Sequence, residues 1–204
     1  MTRAFRPVRL SSEDIDRAIL DTTAGLLARR GLRDTAVQAV ADATGYSKTG
    51  LLGRFPSKEA LVDSALRQCV EQTRAVHAQV AQLPDGPRRD ATALRGLIDL
   101  ALLRRGWTEL ALASVPPFRD EALRERLSEI GDLLFDMFHM GTDLERRARV
   151  TGAIGALAVL ALTYDQEATP AQARPLILAT CWGALGHHRP LPEADDVTPD
   201  ADTG

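Results

Sequence analysis

The chain has 204 residues, of which 45% are hydrophobic and only 4% aromatic, and its formal net charge is −3. This length suffices for one or two domains with a core of small aliphatic side chains. Cys69 and Cys181 match no metal-binding or redox spacing, nothing near residue 1 resembles a signal peptide, and the uncharged stretch Val150 to Tyr164 is shorter than the ~20 residues of a membrane-spanning helix. These features predict a cytoplasmic protein without a membrane span, cofactor or metal.

Charge is distributed unevenly along the chain. Residues 1–58 carry ten Lys and Arg against six Asp and Glu, whereas the remainder carries 15 basic and 22 acidic residues. A basic front on an acidic body predicts a nucleic-acid partner for the front only.

The predicted elements begin after residues 1–10, which hold three arginines and a proline and suggest a flexible basic arm. Ser11 and Asp14 have the spacing of a capping box, and a helix follows until Gly31 offers a stop. Its inward positions are Ile15, Ala18, Ile19, Thr22 and Leu26.

Two short helices are predicted next. The first begins at a cap provided by Asp34 or Thr35 and ends at Gly45. The second begins after Ser47 and runs to about Phe55. The inward positions of the first are Val37, Val40 and Ala41.

The joint at Gly45 resembles the turn of a helix-turn-helix, with Ala41 where the helices touch and Leu51 packing the second helix down. Such a unit presents the N-terminal residues of its second helix to the major groove. The spacing alone is equally compatible with an ordinary helical hairpin.

A longer helix is predicted from a cap at Ser57, with Leu61, Leu66 and Val70 as apolar positions, and residues 83–89 read as a loop. Val115-Pro116-Pro117 is a break. The later helices are predicted from Asp90 (as cap) to Leu103, Trp107 to Ser114, about Asp120 to Met140, Thr142 to Tyr164 and about Pro170 to Leu185. Pro175 marks either the true start of the last helix or a kink.

Residues 18–62, AILDTTAGLLARRGLRDTAVQAVADATGYSKTGLLGRFPSKEALV, closely resemble the DNA-binding domain of the tetracycline-repressor (TetR/AcrR) family of bacterial transcription regulators. The resemblance rests on Leu26, Gly31, Thr35, Val40-Ala41, Gly45-Tyr46-Ser47-Lys48, Phe55 and Ser57-Lys58-Glu59. It implies an all-α homodimer of about nine helices. The implied domains are a helix-turn-helix domain over 11–57 and a ligand-binding and dimerisation domain over 58–186, before an acidic, disordered tail over 187–204.

The resemblance also assigns roles to residues. Lys58 matches a phosphate-contacting lysine, Gln38 a position that reaches a base edge, and Thr35 one that approaches the DNA backbone. Leu52 departs from the family pattern, because many members have a phosphate-binding tyrosine there. The predicted DNA contacts are Thr35, Gln38, Tyr46, Ser47, Lys48, Thr49, Gly50, Arg54 and Lys58. The contact that the tyrosine would make is either missing or supplied by Arg54, Tyr46 and the N-terminal arginines.

The second domain offers aromatic candidates for an apolar pocket. They are Trp107, Phe118, Phe135, Phe138, Tyr164 and Trp182. No catalytic motif is present. The resemblance therefore implies a ligand-responsive repressor that binds a palindromic operator as a homodimer and is released by a largely apolar small molecule. A regulator without an effector remains an alternative.

A metal-binding helical bundle or small helical enzyme is the other alternative, based on Asp132, Asp136 and His139. These residues lie opposite Ile130 on a helical wheel and are expected to face solvent, as are His187 and His188. Gly152 and Gly155 permit close helix approach, either in a dimer bundle or within one subunit.

Overall fold

The computed structural model describes residues 11–113 and 121–192, and within these ranges the chain is helical without a strand. The helices are α1 (Ser12–Asp34), α2 (Val37–Thr44), α3 (Lys48–Arg54), α4 (Lys58–Val80), α5 (Pro87–Leu103), α6 (Arg105–Ala113), α7 (Glu121–Arg126), α8 (Ser128–Met137), α9 (Leu144–Tyr164) and α10 (Pro170–Ala184). Only Leu127 separates α7 from α8, so the pair corresponds to one predicted helix and the all-α prediction of about nine helices is confirmed. None of these helices is long and apolar enough to cross a membrane.

Side-chain caps begin α1, α3 and α4 as predicted. Ser11 Oγ accepts a hydrogen bond from Asp14 N at 3.0 Å, and Asp14 in turn accepts from Ser11 N at 3.3 Å. Ser47 caps α3 through Gly50 N at 3.0 Å, and Ser57 caps α4 through Ala60 N at 3.0 Å.

Glycines with positive φ shape the chain around α2. Gly45 ends α2 at φ 74°, in the left-handed region that glycine adopts without steric cost. Gly31, at φ 78° and ψ 173°, breaks α1 at the predicted stop, although a last stretch of the helix continues to Asp34.

The predicted cap of α2 is wrong. Ala36 occupies that position without a side-chain hydrogen bond. Thr35 is instead buried, and its hydroxyl donates to Gly31 O at 2.8 Å and Leu26 O at 3.3 Å. The hydroxyl satisfies carbonyls released where α1 breaks.

The predicted cap and start of α5 are also wrong. The helix begins at Pro87 after Gly86, because the fixed φ of proline suits the first helical position. Asp90 therefore lies inside α5, where it is buried and accepts two hydrogen bonds from Arg146, at 3.0 and 2.6 Å.

The helix predicted over 120–140 is interrupted. Its apolar face is buried as expected, at Leu123, Leu127, Ile130 and Leu134. However, Leu127 has ψ 2° between α7 and α8, and α8 ends at Met137 before His139 takes φ 46°.

The last two helices form with small changes. Asp143 caps α9 through Arg146 N at 3.0 Å. Thr169 and Gln172 form a capping box at the start of α10, so Pro175 lies inside that helix rather than at its start.

Residues 187–192, predicted as the start of a solvated tail, lie against the second domain. The His187 ring stacks on Trp182 with 3.9 Å between ring centroids, and its Nε2 lies 2.8 Å from Asp90 Oδ2. Trp182 Nε1 donates to Arg189 O at 2.9 Å. The solvated prediction is wrong for His187, whereas His188 is exposed. The predicted arm, the Val115-Pro116-Pro117 break and the tail beyond 192 lie outside the described residues.

Two hydrophobic cores organise the molecule. The smaller core joins α1 to the helix-turn-helix and comprises Ile19, Leu26, Val40, Ala41, Leu51 and Leu61. The larger core occupies the second domain and includes Ala24 and Leu27 of α1. Because α1 contributes to both cores, it connects the two domains.

Candidate nucleic-acid interface and ligand cavity

The helix-turn-helix is built on three fully buried anchors. Val40 and Ala41 of α2 and Leu51 of α3 are each at most 1% exposed. Their burial turns the opposite sides of α2 and α3 to solvent. The two helices therefore present a common outer surface around Gly45.

Six of the predicted DNA-contacting residues lie together on this outer surface. They are exposed: Gln38, Tyr46, Ser47, Lys48, Thr49 and Gly50. Within the described ranges, Lys48 is bound to no other side chain or carbonyl. Its ammonium is consequently available to an external partner at the N-terminal turn of α3, where the helix dipole is positive.

Lys58 lies at the neighbouring start of α4. Its Nζ donates to Arg33 O, near the end of α1, at 3.0 Å. An ammonium has three donors, so this bond leaves two for a phosphate oxygen. The bond to Arg33 O therefore fixes the position of the Lys58 ammonium and leaves it able to bind a phosphate.

The side chains of Arg54 and Thr35 are bonded within the protein. Arg54 forms an ion pair with Asp16 and donates to Ser12 Oγ at 3.1 Å, which connects the end of α3 to the start of α1. The Thr35 hydroxyl is buried, as described above. Of the predicted substitutes for the tyrosine missing at Leu52, Arg54 is thus engaged within the protein, Tyr46 is exposed, and the N-terminal arginines lie outside the described residues.

One feature of this surface was missed from the sequence. Gln38 Nε2 donates to Asp42 Oδ1 at 2.8 Å, which orients the amide on the exposed side of α2. The two residues are spaced i, i+4, a separation at which side chains of a helix meet. That spacing was the available signal.

The second domain contains a cavity of about 180 Å³ between α5, α6, α8 and α9. Trp107 and Ala111 of α6 face Phe135 of α8 and Ile154 and Ala158 of α9 across it. Among the described residues that line the cavity, Thr151 contributes a hydroxyl and the others are apolar. Such a space suits a small, largely apolar molecule.

Of the five predicted aromatic residues that the structure describes, two line this cavity, Trp107 and Phe135. Phe138 is fully buried in the core, Tyr164 packs against the core at the end of α9, and Trp182 stacks on His187. Phe118 lies outside the described residues. Aromatic content does not distinguish cavity from core, because both are apolar.

The two glycines of α9 are three residues apart and therefore lie within about 60° of each other around the helix. Gly155 lines the cavity, whereas Gly152 is exposed. The missing side chain of Gly155 leaves room in the cavity. A dimer contact at either glycine stays a prediction.

A solvent-facing apolar surface spans α9 and α10. Val159 and Leu176 are 53% and 56% exposed, and every exposed residue of α10 is uncharged. A cluster of this kind is typical of a surface that another protein covers. We call it the α9–α10 face.

The Asp132, Asp136 and His139 stripe faces solvent, as predicted. Asp136 Oδ2 lies 2.6 Å from His77 Nε2, and this hydrogen bond holds the pKa of the Asp136 carboxyl below its ordinary value. His139 Nδ1 lies 2.8 Å from Asp85. Across residues 11–113 and 121–192, no three His, Cys, Asp or Glu side chains gather as metal ligands.

Comparisons with known proteins place residues 19–65 in a family model described as bacterial regulatory proteins, tetR family. The transcriptional repressor KstR2 of Rhodococcus jostii is 49% identical over 49 residues, which are 24% of each chain. The regulator EthR of Mycobacterium tuberculosis is 33% identical over 90 residues, covering 44% of this chain and 42% of EthR. The matched segments thus span less than half the length of these relatives.

A solved structure extends the likeness beyond the first domain. The TetR-like regulator LfrR from Mycobacterium smegmatis has a TM-score of 0.60 and covers 84% of this chain and 96% of its own. At 15% identity, this comparison supports the fold alone. The second domain therefore shares an architecture with LfrR, while its ligand chemistry has to be read from its own side chains.

Proposed function

The chain belongs to the TetR family of bacterial regulatory proteins, and on that premise we propose that it is a homodimeric repressor of transcription, released from its operator by a small molecule. The family consists of regulators rather than enzymes, in agreement with the sequence prediction. The protein would act on double-stranded DNA in the cytoplasm. The observation that carries the proposal is the shared outer surface of α2 and α3.

DNA recognition follows from what this surface offers. Lys48 and Thr49 stand at the N-terminal turn of α3, the part of a recognition helix that approaches base edges in the major groove. Gln38 adds an oriented amide from α2. Lys58 supplies a cation beside the helix-turn-helix, suited to the DNA backbone.

A palindromic operator follows from dimerisation. Two copies related by a two-fold axis would join through the α9–α10 face, since an isologous contact buries the same apolar patch on both subunits. Two α3 helices would then address two half-sites of opposite direction. The exposed Val159 and Leu176 support this choice of face.

Release by an effector follows from the position of the cavity. An occupant of the cavity would contact α6, which packs against α1 of the DNA-binding domain. A ligand shifts an equilibrium only if it binds one state better than the other. We propose that the cavity is larger in the state that does not bind DNA.

The test is selection of bound sequences from a random double-stranded DNA library, followed by binding measurements on the enriched sequence. The expected result is one inverted repeat, with lost enrichment for Lys48→Ala. Arg126→Ala is the matched control, because this exposed residue pairs with Asp63 outside the helix-turn-helix. Absence of any enriched sequence with the unmodified protein would contradict the proposal.

A further inference from the structure

The carboxylate of Asp21 joins the two domains through the N-terminus of α6. Asp21 belongs to α1, and its Oδ2 accepts from Gly106 N at 3.1 Å while its Oδ1 accepts from Trp107 N at 3.2 Å. The first amides of a helix have no partner within the helix and require an external acceptor. Asp21 therefore caps a helix of the other domain, 85 residues further along the chain.

Gly106 makes this contact possible by allowing the backbones to approach. A Cβ at position 106 would lie 1.7 Å from the carbonyl oxygen of Asp21. No side chain fits there without moving α1 away from α6. The first turn of α6 and the middle of α1 are consequently held at a separation that only glycine permits.

Trp107 connects the same turn to the cavity. Its backbone N–H is bonded to Asp21, its ring lines the cavity, and its Nε1 donates to Thr73 Oγ1 of α4 at 3.0 Å. The ring is only 3% exposed. The backbone turn that Asp21 holds is therefore directly connected to a side chain that an occupant of the cavity would contact.

The carboxylate of Asp21 is partly removed from water, which disfavours its charged form. Burial raises the pKa of the Asp21 carboxyl above its ordinary value, against the lowering effect of the Gly106 and Trp107 amides and of nearby Arg104. A partly buried carboxylate with a perturbed pKa is more common at functional sites than in purely structural positions.

A second contact between α1 and α6 lies at the edge of the same interface. Arg29 of α1 forms an ion pair with Glu109 of α6, and the Arg29 side chain is 53% exposed. The Glu109 side chain is 9% exposed and also pairs with Arg105 at the start of α6, whereas the Gly106 and Trp107 amides bond to Asp21. Arg29→Ala therefore removes a contact between the same two helices and leaves the Asp21 hydrogen bonds in place, which makes it a matched comparison.

We propose that the Asp21 cap is the joint through which cavity occupancy and DNA binding influence each other. Displacement of Trp107 moves the first turn of α6, and the two hydrogen bonds carry α1, with α2 and α3 packed on it, in the same direction. The inference rests on the proposed function, because it assumes that the helix-turn-helix binds DNA. Coupling between sites is reciprocal, so DNA binding must in turn change the surroundings of Trp107.

Reciprocity permits a test that needs no identified effector. Trp107 and Trp182 are the two tryptophans of the chain, so Trp182→Phe leaves Trp107 as its sole indole. The experiment follows the emission maximum of Trp107 while the selected operator DNA is added, with binding measured in parallel by anisotropy of labelled DNA. A scrambled duplex of equal length serves as the DNA control.

The expected result is a shift of the Trp107 emission maximum with operator but not with scrambled DNA. Adding Asp21→Asn should abolish the shift while the protein still binds the operator, because the amide replaces one acceptor by a donor facing an N–H group. Adding Arg29→Ala should leave the shift intact. If Asp21 had a purely structural role, Asp21→Asn would lower the thermal stability, and the variant that binds operator would still show the shift of the Trp107 emission maximum.

Other outcomes overturn the inference. An undiminished emission shift in the Asp21→Asn protein would show that the cap does not couple the two sites. If the Trp182→Phe protein binds operator without any emission shift, DNA binding does not change the surroundings of Trp107. If the Asp21→Asn protein does not fold, as judged by circular dichroism, Asp21→Ala replaces it, since alanine removes both acceptors without adding a buried donor. Failure of the Trp182→Phe protein and of the unmodified protein to bind operator contradicts the proposed function itself.

Discussion

Lys48 and Lys58 carry the same charge in different settings. Lys48 stands exposed on the first turn of α3, while the Lys58 ammonium is held at 3.0 Å by Arg33 O. A mobile cation over the bases and a fixed cation beside the backbone should contribute to different parts of the binding energy. The first would serve sequence preference and the second general affinity.

Lys58→Ala should weaken operator binding about equally across DNA sequences and lower the salt slope by about 1 per subunit, because one phosphate contact and its released counterion are lost. Lys48→Ala should instead flatten the preference at particular base pairs, by ~1–3 kcal/mol if its contact is with a base edge. The measurement is operator affinity at several salt concentrations and over a mismatch series. The opposite pattern would mean that α3 is not the recognition helix.

The two cysteines are expected to be unreactive in the folded protein. Burial raises the pKa of the Cys69 thiol to about 12 and that of Cys181 to about 11. Since the thiolate is the reactive form, neither should react with Ellman's reagent at pH 8 until the protein is unfolded in guanidinium. Rapid labelling of a thiol under native conditions would contradict this burial.

The same shifts predict the sign of a pH effect on stability. A thiol with a higher pKa in the native state holds its proton longer there than in the unfolded chain. The contribution of Cys69 and Cys181 to the free energy of unfolding is therefore full below their ordinary pKa of 9.0 and falls as the pH rises towards 11 and 12. Cys69→Ala and Cys181→Ala should each reduce this fall in urea unfolding above pH 9.

At the scale of elements, α3 is short and contains two glycines. It has seven residues, with Gly50 and Gly53 both exposed. Glycine in a helix is less favourable than alanine because the unfolded chain has more conformations to lose. The recognition helix is therefore weakly specified by its own sequence and depends on Leu51 and the Ser47 cap.

Gly53→Ala should raise the free energy of unfolding by about 0.5–1 kcal/mol. A Cβ at position 53 meets nothing within 4 Å, whereas one at position 50 would lie 3.1 Å from Ser47 Oγ, so Gly50→Ala is the matched comparison with a smaller gain. Urea denaturation followed by circular dichroism measures both. A loss of stability in Gly53→Ala would show that α3 is not helical at this position in the absence of DNA.

At the scale of the whole molecule, α9 lies between the cavity and the α9–α10 face. Gly155 and Ala158 line the cavity, while Gly152 and Val159 are exposed, and the exposed residues of α10 are uncharged. A charge introduced on the outward side should prevent association without disturbing the fold. Gly155→Glu is a poor test of the dimer, because Gly155 lines the cavity and an effect on the cavity would not be separable from an effect on the interface.

Leu176→Glu should convert the proposed dimer into a monomer, because each copy would place an unpaired carboxylate in an apolar interface. Leu144→Glu is the matched control, since Leu144 is 77% exposed at the start of α9, far along the helix from Val159. Light scattering at micromolar concentration measures the mass of both variants and of the unmodified protein. A monomeric unmodified protein would remove the proposed interface.

The two short helices and the turn between them could be predicted from the sequence because their signals are local. Ser47 and Ser57 cap helices through amides three residues away, Gly45 takes the positive φ that the turn requires, and Val40 and Leu51 are neighbours across that turn. Interactions over a few residues are encoded by spacing alone. The exposed surface of α3 follows from the same spacing.

Only the tertiary structure decided where side chains with distant partners lie. Asp90 looked like a helix cap but pairs with Arg146, 56 residues away, and Arg54 looked like a DNA contact but pairs with Asp16, 38 residues away. Helix α9 is apolar over most of its circumference, so its pattern could not assign Gly155 to the cavity or Gly152 to the outside. Charge pairing and burial on such a helix depend on which other helices pack against it, and that packing is a property of the folded chain.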